Sequence, residues 1–389
     1  MRVRRCAIVM IEPRERLAFD LEFLAEGGSG LHSVVEWIAL APHLDAEVAL
    51  SAGEVAALGQ VSPSAWTDID TLAATHPRET LGMLLDKRLL LREAAEDDQA
   101  LRRTHWRTTS AIMHYASRWR GVDSKQLARD FAAHSDKSIL EHLGAPPPPA
   151  RARVAAEQRR PLPSPESTPF DELLLKRVTC RNYDAERMLG LAEFSAVLHR
   201  TFSARAVVET APGVLILKKG VPSAGGLHPT EAYLLVQRVE GVSPGLYHYH
   251  PVDHALEPIR MLAPDEARAL ARVFVAGQDY FAEAHAMVVA TSRFHRNFWK
   301  YRNHAKAYRA LTLDVGYLSH TIYLSATELG LAAFITAAIN EVDIEQAFGL
   351  DPLEEGPLAV CGFGIRAPAR TEVEFDPLHA VWPNEADIP

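Results

Sequence analysis

The chain has 389 residues, 48% of them hydrophobic, and a net charge of −9 at neutral pH. That is apolar material for two or three globular domains, and it argues against a general nucleic-acid binder, which needs a basic face. No apolar run reaches the ~20 residues of a membrane span, and three widely spaced cysteines (Cys6, Cys180, Cys361) make neither a disulfide framework nor a zinc motif, so a cytoplasmic, reducing setting is expected.

The opening residues, Met1 to Ile11, are basic and then briefly apolar. Glu12, Pro13 and Arg14 interrupt them and no small-residue cleavage site follows. They read as a first strand, not a signal peptide. Leu17, Phe19, Leu21 and Phe23 continue a mostly two-residue alternation. Residues 34–50 read as a hairpin with a Pro-His-Leu-Asp turn. Ser51 is placed to cap a short helix running from Gly53 to Gly59. Pro63 and Asp68 to Asp70 open further helical turns, and Thr80 to Glu93 reads as a last helix entering a wing strand. Three helices with such hairpins predict a winged-helix-like domain over residues 1–104. A helical connector over 105–143 follows, with Ser124 as the N-cap of a helix from Lys125 to His142. Trp106, His114 and Trp119 are expected to pack there rather than to react. Eight prolines between residues 145 and 169 forbid regular structure. They set an extended linker over 144–165.

Residues 166–389 carry the motifs that suit chemistry. Phe170 to Lys176 reads as a helix end that feeds Arg177-Val178-Thr179-Cys180-Arg181-Asn182-Tyr183. In an extended segment Arg177, Thr179 and Arg181 fall on one side. Guanidinium forks match phosphate oxygens, although a solvated basic turn has the same pattern. Leu191 to Arg200 reads as a helix, and the stretch on to Lys219 as loose. Pro222-Ser223-Ala224-Gly225-Gly226-Leu227-His228-Pro229 comes next. Its prolines make it rigid, and its glycines let backbone N–H groups approach a flat or anionic ligand closely. A strand from Thr230 to Arg238 follows, then Pro244-Gly245-Leu246-Tyr247-His248-Tyr249-His250-Pro251. His248, His250 and His254 invite a metal, but no carboxylate or Cys joins them at a ligand-like spacing. Ala286 to Arg293 reads as a buried strand. The run after it, with Trp299-Lys300-Tyr301, is dense in bases and aromatics. Leu311, Val315, Leu318 and Ile322 step by four, three and four, the stripe of a long helix that Gly330 is placed to end.

Together these motifs resemble the SagB-type flavin-dependent dehydrogenases of the nitroreductase superfamily, enzymes that typically oxidise azolines to azoles in ribosomally made peptides. The resemblance is strong over 166–387 and weak before it. It implies an α+β fold, with a central, mostly antiparallel sheet flanked by helices and an FMN site in a homodimer, preceded by the winged-helix-like domain. It places Arg177, Thr179 and Arg181 on the FMN phosphate and ribityl tail. Pro222, Ser223, Ala224, Gly225, Gly226 and His228 are placed around the ring. Thr336 and Ala337 belong, by the same likeness, to a loop passing one flavin face. Gly364 and Arg366 belong to a closing strand and glycine turn, with Arg366 completing the phosphate grip. Lys300 and Tyr301 match the Lys-Tyr pair used near the flavin, Lys300 as base and Tyr301 as its orienting or relaying partner. His228 is read as a further proton donor or as a structural histidine beside the ring. Two departures stand out. Lys176-Arg177-Val178-Thr179 replaces the usual Arg-Arg-Ser-x, and Asp314-Val315-Gly316-Tyr317 replaces a frequent Glu-x-Gly-His.

The implied function is oxidation of a modified ribosomal peptide, azoline to azole or a related desaturation, with hydride passing to FMN N5 and O₂ as the final oxidant. The N-terminal domain would hold the precursor's leader as an added strand, and a cyclodehydratase is an expected partner. Neither nucleic acid, membrane nor metal enters this reading. Two alternatives stay open: an NAD(P)H-dependent nitroreductase or ene-type reductase of small molecules, and a non-catalytic peptide-binding scaffold.

Overall fold

The computed structural model describes residues 1–126, 140–141, 144–302 and 304–383. The helix expected after Ser124 falls mostly outside them. The chain divides into two compact units. The first comprises Met1–Arg118, Arg293–Arg309 and Leu350–Gly356, and the second Trp119–Ser292, Ala310–Gly349 and Pro357–Pro389.

In the first unit, strand β1 (Arg2–Arg5) lies between β5 (Thr67–Asp68) and β6 (Leu90–Arg92), antiparallel to both. The expected first strand is thus cut short: Cys6 turns away, and a second strand, β2 (Met10–Phe19), begins a separate sheet with β3 (Leu31–Leu40) and β4 (Val48–Leu50). The β2–β3 pair spans ten residues on each side, and β3 pairs with β4 as the expected hairpin. The alternation beyond Phe19 does not continue as strand. Asp20 accepts hydrogen bonds from the N–H groups of Glu22 and Phe23 and starts a short helix, α1 (Leu21–Ala25). Ser51 caps α2 (Ala52–Gln60) in a full capping box with Glu54. Asp68 caps α3 (Ile69–Ala73), and α4 (Arg78–Asp86) leads into β6. Val3, Leu58, Leu81, Leu84 and Leu90 form the core between these helices and β1.

The same unit takes up α5 (Gln99–Thr104), the end of the expected winged-helix-like domain, together with α6 (Thr108–Ala116) and residues 293–309, which the sequence assigned to a connector and to the C-terminal domain. Aromatic packing explains this. Trp106 is buried against Phe294 and Phe298 at ring distances of 4.6 and 4.9 Å, and its Nε1 donates to the Leu353 carbonyl at 2.8 Å. His114 is buried beside it, and burial lowers its pKa to about 4.

The second unit is built on a six-stranded sheet in the order β11-β10-β9-β12-β14-β13. These strands are β9 (Thr230–Val236), β10 (Gly245–His250), β11 (Ala255–Met261), β12 (Ala286–Arg293), β13 (Ala332–Thr336) and β14 (Glu355–Gly364). The pairs β9–β10, β10–β11, β9–β12 and β13–β14 are all antiparallel. β12 is buried along seven of its eight residues. Period-2 alternation assigns each strand residue to a face. Ala232, Leu234 and Val236 pack against α8 (Leu191–Phe202) and the long helix α12 (Ala307–Glu328) through Phe194, Phe202, Leu318 and Ile322. Tyr233 faces the other way, onto Phe348 of α13 (Glu341–Phe348), which also meets Phe274 of α9 (Pro264–Phe274). Each such side chain contributes about 2 kcal/mol by leaving water. α12 ends as expected: Gly330 takes φ +73° while the Leu331 N–H donates back to Ala326.

Two expectations are corrected. The stretch before Lys219 is an antiparallel ribbon, β7 (Ala204–Ala211) with β8 (Val214–Lys219), not a loose segment. Two register shifts break its side-chain alternation, and β7 is solvent-exposed over nearly its whole length, so no period-2 signal survives. Thr336, expected in a loop, is the last residue of strand β13, which completes the sheet against β14. Residues 144–168 run exposed with a single 3₁₀ turn, Ala156–Gln158.

Candidate functional site

The Pro222–Pro229 turn is tied at its start by one buried side chain. Asp314, on α12, accepts from the Ser223 hydroxyl at 2.6 Å and from the Ala224 N–H at 3.0 Å. Ser223 Oγ in turn accepts the His228 N–H at 3.0 Å. Inside this clasp Gly225, Gly226 and His228 take φ of +61°, +70° and +45°. Glycine adopts that region freely, but a histidine there is strained. A small pocket beside the turn is lined by Lys219, Pro222, Ser223, His228, Thr230 and Asp314. Lys219 and Asp314 are buried, and the buried Thr230 hydroxyl has no partner among the described residues. Burial raises the pKa of Asp314, and its hydrogen bonds to Ser223 and Ala224 only partly oppose this.

A second cluster centres on Tyr323, nine residues further along α12, or about 13 Å at 1.5 Å per residue. Its hydroxyl meets Thr179 Oγ1 at 2.9 Å and accepts the Ile335 N–H at 3.2 Å. The Arg177 guanidinium lies over its ring, 5.3 Å from the centroid. Arg177 and Thr179 therefore converge, as alternation suggested. Thr179 is fixed there by a parallel bridge to Ala333.

The other expected cofactor residues have different company. Arg181 donates to the Val373 carbonyl at 2.8 Å and lies over Tyr280. Arg366 is ion-paired to Glu374 and lies over Trp382. Thr336 shares its hydroxyl with Gln278 at 3.1 Å and with the Ala338 N–H at 3.1 Å. Ala337 is exposed beside it. Gly364 is a packing necessity, because a Cβ there would collide with the buried ring of His285.

Lys300 and Tyr301 lie in the first unit, on helix α11 (Phe294–Tyr301). Lys300 is exposed, with its ammonium 5.6 Å from the Tyr301 ring centroid. Tyr301 packs edge-on to His304 and lines a narrow cleft with His105, Phe298 and Arg302. Arg302 donates to the Trp299 carbonyl.

The three histidines have separate partners. His248 lies between Glu257 at 2.6 Å and Glu231 at 3.5 Å. His254 meets Tyr249 at 2.6 Å and Ser195 at 2.8 Å, and His250 pairs with Asp253. Among the described residues no three His, Cys, Asp or Glu side chains are placed to hold a metal ion. Burial pushes each of Cys6, Cys180 and Cys361 up to about 12, so none is a ready thiolate. No helix among the described residues is long and apolar enough to cross a membrane.

Residues 174–365 match the Nitroreductase family. This segment is a nitroreductase-family domain. It contains both clusters described above, on an oxidoreductase fold whose members typically bind FMN. The chain is 29% identical over 203 residues to MJ1384 of Methanocaldococcus jannaschii, a protein named for a nitroreductase; the match covers 52% of this chain and 94% of that one. It is 31% identical over 145 residues to the trifolitoxin-processing protein TfxB of Rhizobium leguminosarum bv. trifolii, covering 37% of this chain and 38% of TfxB. Among solved structures, the Escherichia coli microcin synthetase McbBCD complex with truncated pro-MccB17 aligns at a TM-score of 0.48 and 22% identity, over 69% of this chain and 97% of that one.

Asp314 and Tyr323 were not among the expected site residues. Each stands on or beside the apolar stripe of α12, and a polar side chain in such a place is the signal that marks it.

Proposed function

We propose that the protein is an FMN-dependent dehydrogenase that oxidises a modified ribosomally made peptide. The observation that carries the reading is the clasped Pro222–Pro229 turn within a nitroreductase-family domain. The residues fit the cofactor. Gly225 and Gly226 leave a surface free of Cβ atoms, and the Thr230 hydroxyl offers a donor in the pocket beside the turn. Arg177 and Thr179, about 13 Å along α12 from Asp314, offer a cation and a hydroxyl to an anionic tail. Pro222 to Gly226 and His228 would hold the ring, and Arg177 and Thr179 the phosphate. Arg181 and Arg366 would join them only by sharing or leaving Val373 and Glu374.

When bound, FMN supplies a two-electron acceptor, which no side chain of the protein provides. Lys300 would accept the proton from the carbon being oxidised, with Tyr301 orienting it, and His228 would hold or donate a proton at the turn. Lys300 is exposed in the chain itself, so bound peptide or a second protomer would have to cover it for it to act as a base. A homodimer accordingly belongs to the proposal. The likeness to a trifolitoxin-processing protein supports the peptide reading. In the winged-helix-like part β1 is paired on both sides, so the sheet edges β5 and β6 would take a leader strand.

The near-complete coverage of MJ1384 favours the second reading, an NAD(P)H-driven reductase of small molecules. Purification separates these ideas in order. The protein should be yellow, release about one FMN per protomer on heating, and be reduced anaerobically by peptide rather than by NAD(P)H. A colourless protein that ignores added FMN would end the proposal.

A further inference from the structure

We infer that Asp314 is the positioning residue of the flavin turn, closing Pro222–Pro229 into the shape that receives the ring. This rests on the flavin reading above.

Asp314 lies among the buried residues of α12, with Leu311 one turn before it and Leu318 one turn after. An apolar side chain would serve helix packing better there, because burying a carboxylate is costly unless it is paired or hydrogen-bonded. What compensates Asp314 is the turn itself. Its two oxygens take one donor each, the Ser223 hydroxyl and the Ala224 N–H. Ser223 then relays the hold to the far end by accepting the His228 N–H. One carboxylate thereby holds the Ala224 N–H directly and, through the Ser223 hydroxyl, the His228 N–H at the far end.

The residues between are those that resist such a shape. His228 sits at φ +45°, where a side-chain-bearing residue is strained, and two glycines precede it in the same region. A turn with so many left-handed residues relaxes unless its ends are tied. The sequence places the tie 90 residues away on another element, so the turn keeps its form only on the folded domain.

The test uses the full-length protein and three variants, Asp314→Ala, Asp314→Asn and Ser223→Ala. Hydrogen exchange at residues 222–229 is read without FMN, and the FMN dissociation constant is read by flavin fluorescence. Asp314→Ala should lose protection at the Ala224 and His228 amides and weaken FMN at least tenfold. Asparagine keeps an acceptor for Ala224 and a donor for Ser223, so Asp314→Asn should stay within about threefold of wild type. Ser223→Ala should expose His228 but leave Ala224 protected, and it carries the test if Asp314→Ala does not fold. Wild-type FMN affinity in Asp314→Ala, or equal loss in Asp314→Asn, would overturn the inference. If the wild type itself takes up no FMN, the flavin reading falls, and unchanged exchange in Asp314→Ala would then overturn the tie as well.

Discussion

Replacing Glu374 by glutamine should destabilise the nitroreductase-family domain by about 3 kcal/mol, at the low end of the range for breaking a buried ion pair. Glu374 is only 3% exposed, yet it gathers donors from four residues. It accepts the N–H groups of Arg181 and Asn182 at 2.6 and 3.1 Å, Asn182 Nδ2 at 2.8 Å and Trp382 Nε1 at 2.8 Å, and it is ion-paired to Arg366. Glutamine keeps one acceptor oxygen, presents an NH₂ to donors, and leaves the Arg366 side chain, 18% exposed, without its counter-charge. For a domain of this size 3 kcal/mol corresponds to a Tm lower by roughly 6–12 °C. Removing both charges, in Glu374→Gln with Arg366→Met, should recover part of the loss, because no buried ion is then left alone. Acid should have the same effect as the mutation. Burial alone would raise the Glu374 pKa, but Arg366, Trp382, Arg181 and Asn182 outweigh it and hold it low. A depressed folded-state pKa stabilises fully above the ordinary carboxylate value of about 4.3, and that stability is lost as pH falls through the folded value. The gap between wild type and Glu374→Gln should therefore narrow below about pH 4. Urea unfolding at pH 7 and at pH 3.5 reads both effects. A loss under 1 kcal/mol at pH 7, or a gap unchanged by acid, would refute the reasoning.

Further outcomes follow from the same structure. Gly364→Ala should cost at least 1–3 kcal/mol through collision with His285; unchanged denaturation would show that the ring has room to move. Lys300→Ala should leave FMN bound and lower kcat roughly 10²-fold, with Tyr301→Phe costing less; near wild-type turnover of flavin-loaded Lys300→Ala would demote Lys300 and advance His228. Ser51→Ala should cost about 1 kcal/mol of stability in the first unit by opening its capping box, an effect absent if the helix end is satisfied by water alone.

What the sequence made legible was local. Ser51 with Glu54, the apolar steps of α12 and the buried run of β12 each carry their own signal within a few residues. The Pro222–Pro229 turn was legible for the same reason, since only glycines settle easily at its left-handed positions. Long-range ties were not. Asp314 reaches its turn across 90 residues, and Glu374 reaches Arg181 across 193. The β7–β8 ribbon was hidden because bulges and exposure erase its alternation. Residues 293–309 were assigned by position in the chain, while Trp106, Phe294 and Phe298 assign them by packing.

The central claim, that the chain oxidises a peptide with FMN, is tested most directly by one anaerobic mixing experiment. Flavin-loaded protein is mixed without O₂ with a precursor peptide carrying azolines, and the flavin band is followed in a stopped-flow spectrometer. The account predicts bleaching of the band with formation of one azole per flavin, and slower bleaching in Lys300→Ala. A band that stays oxidised with peptide but bleaches with NAD(P)H would contradict it.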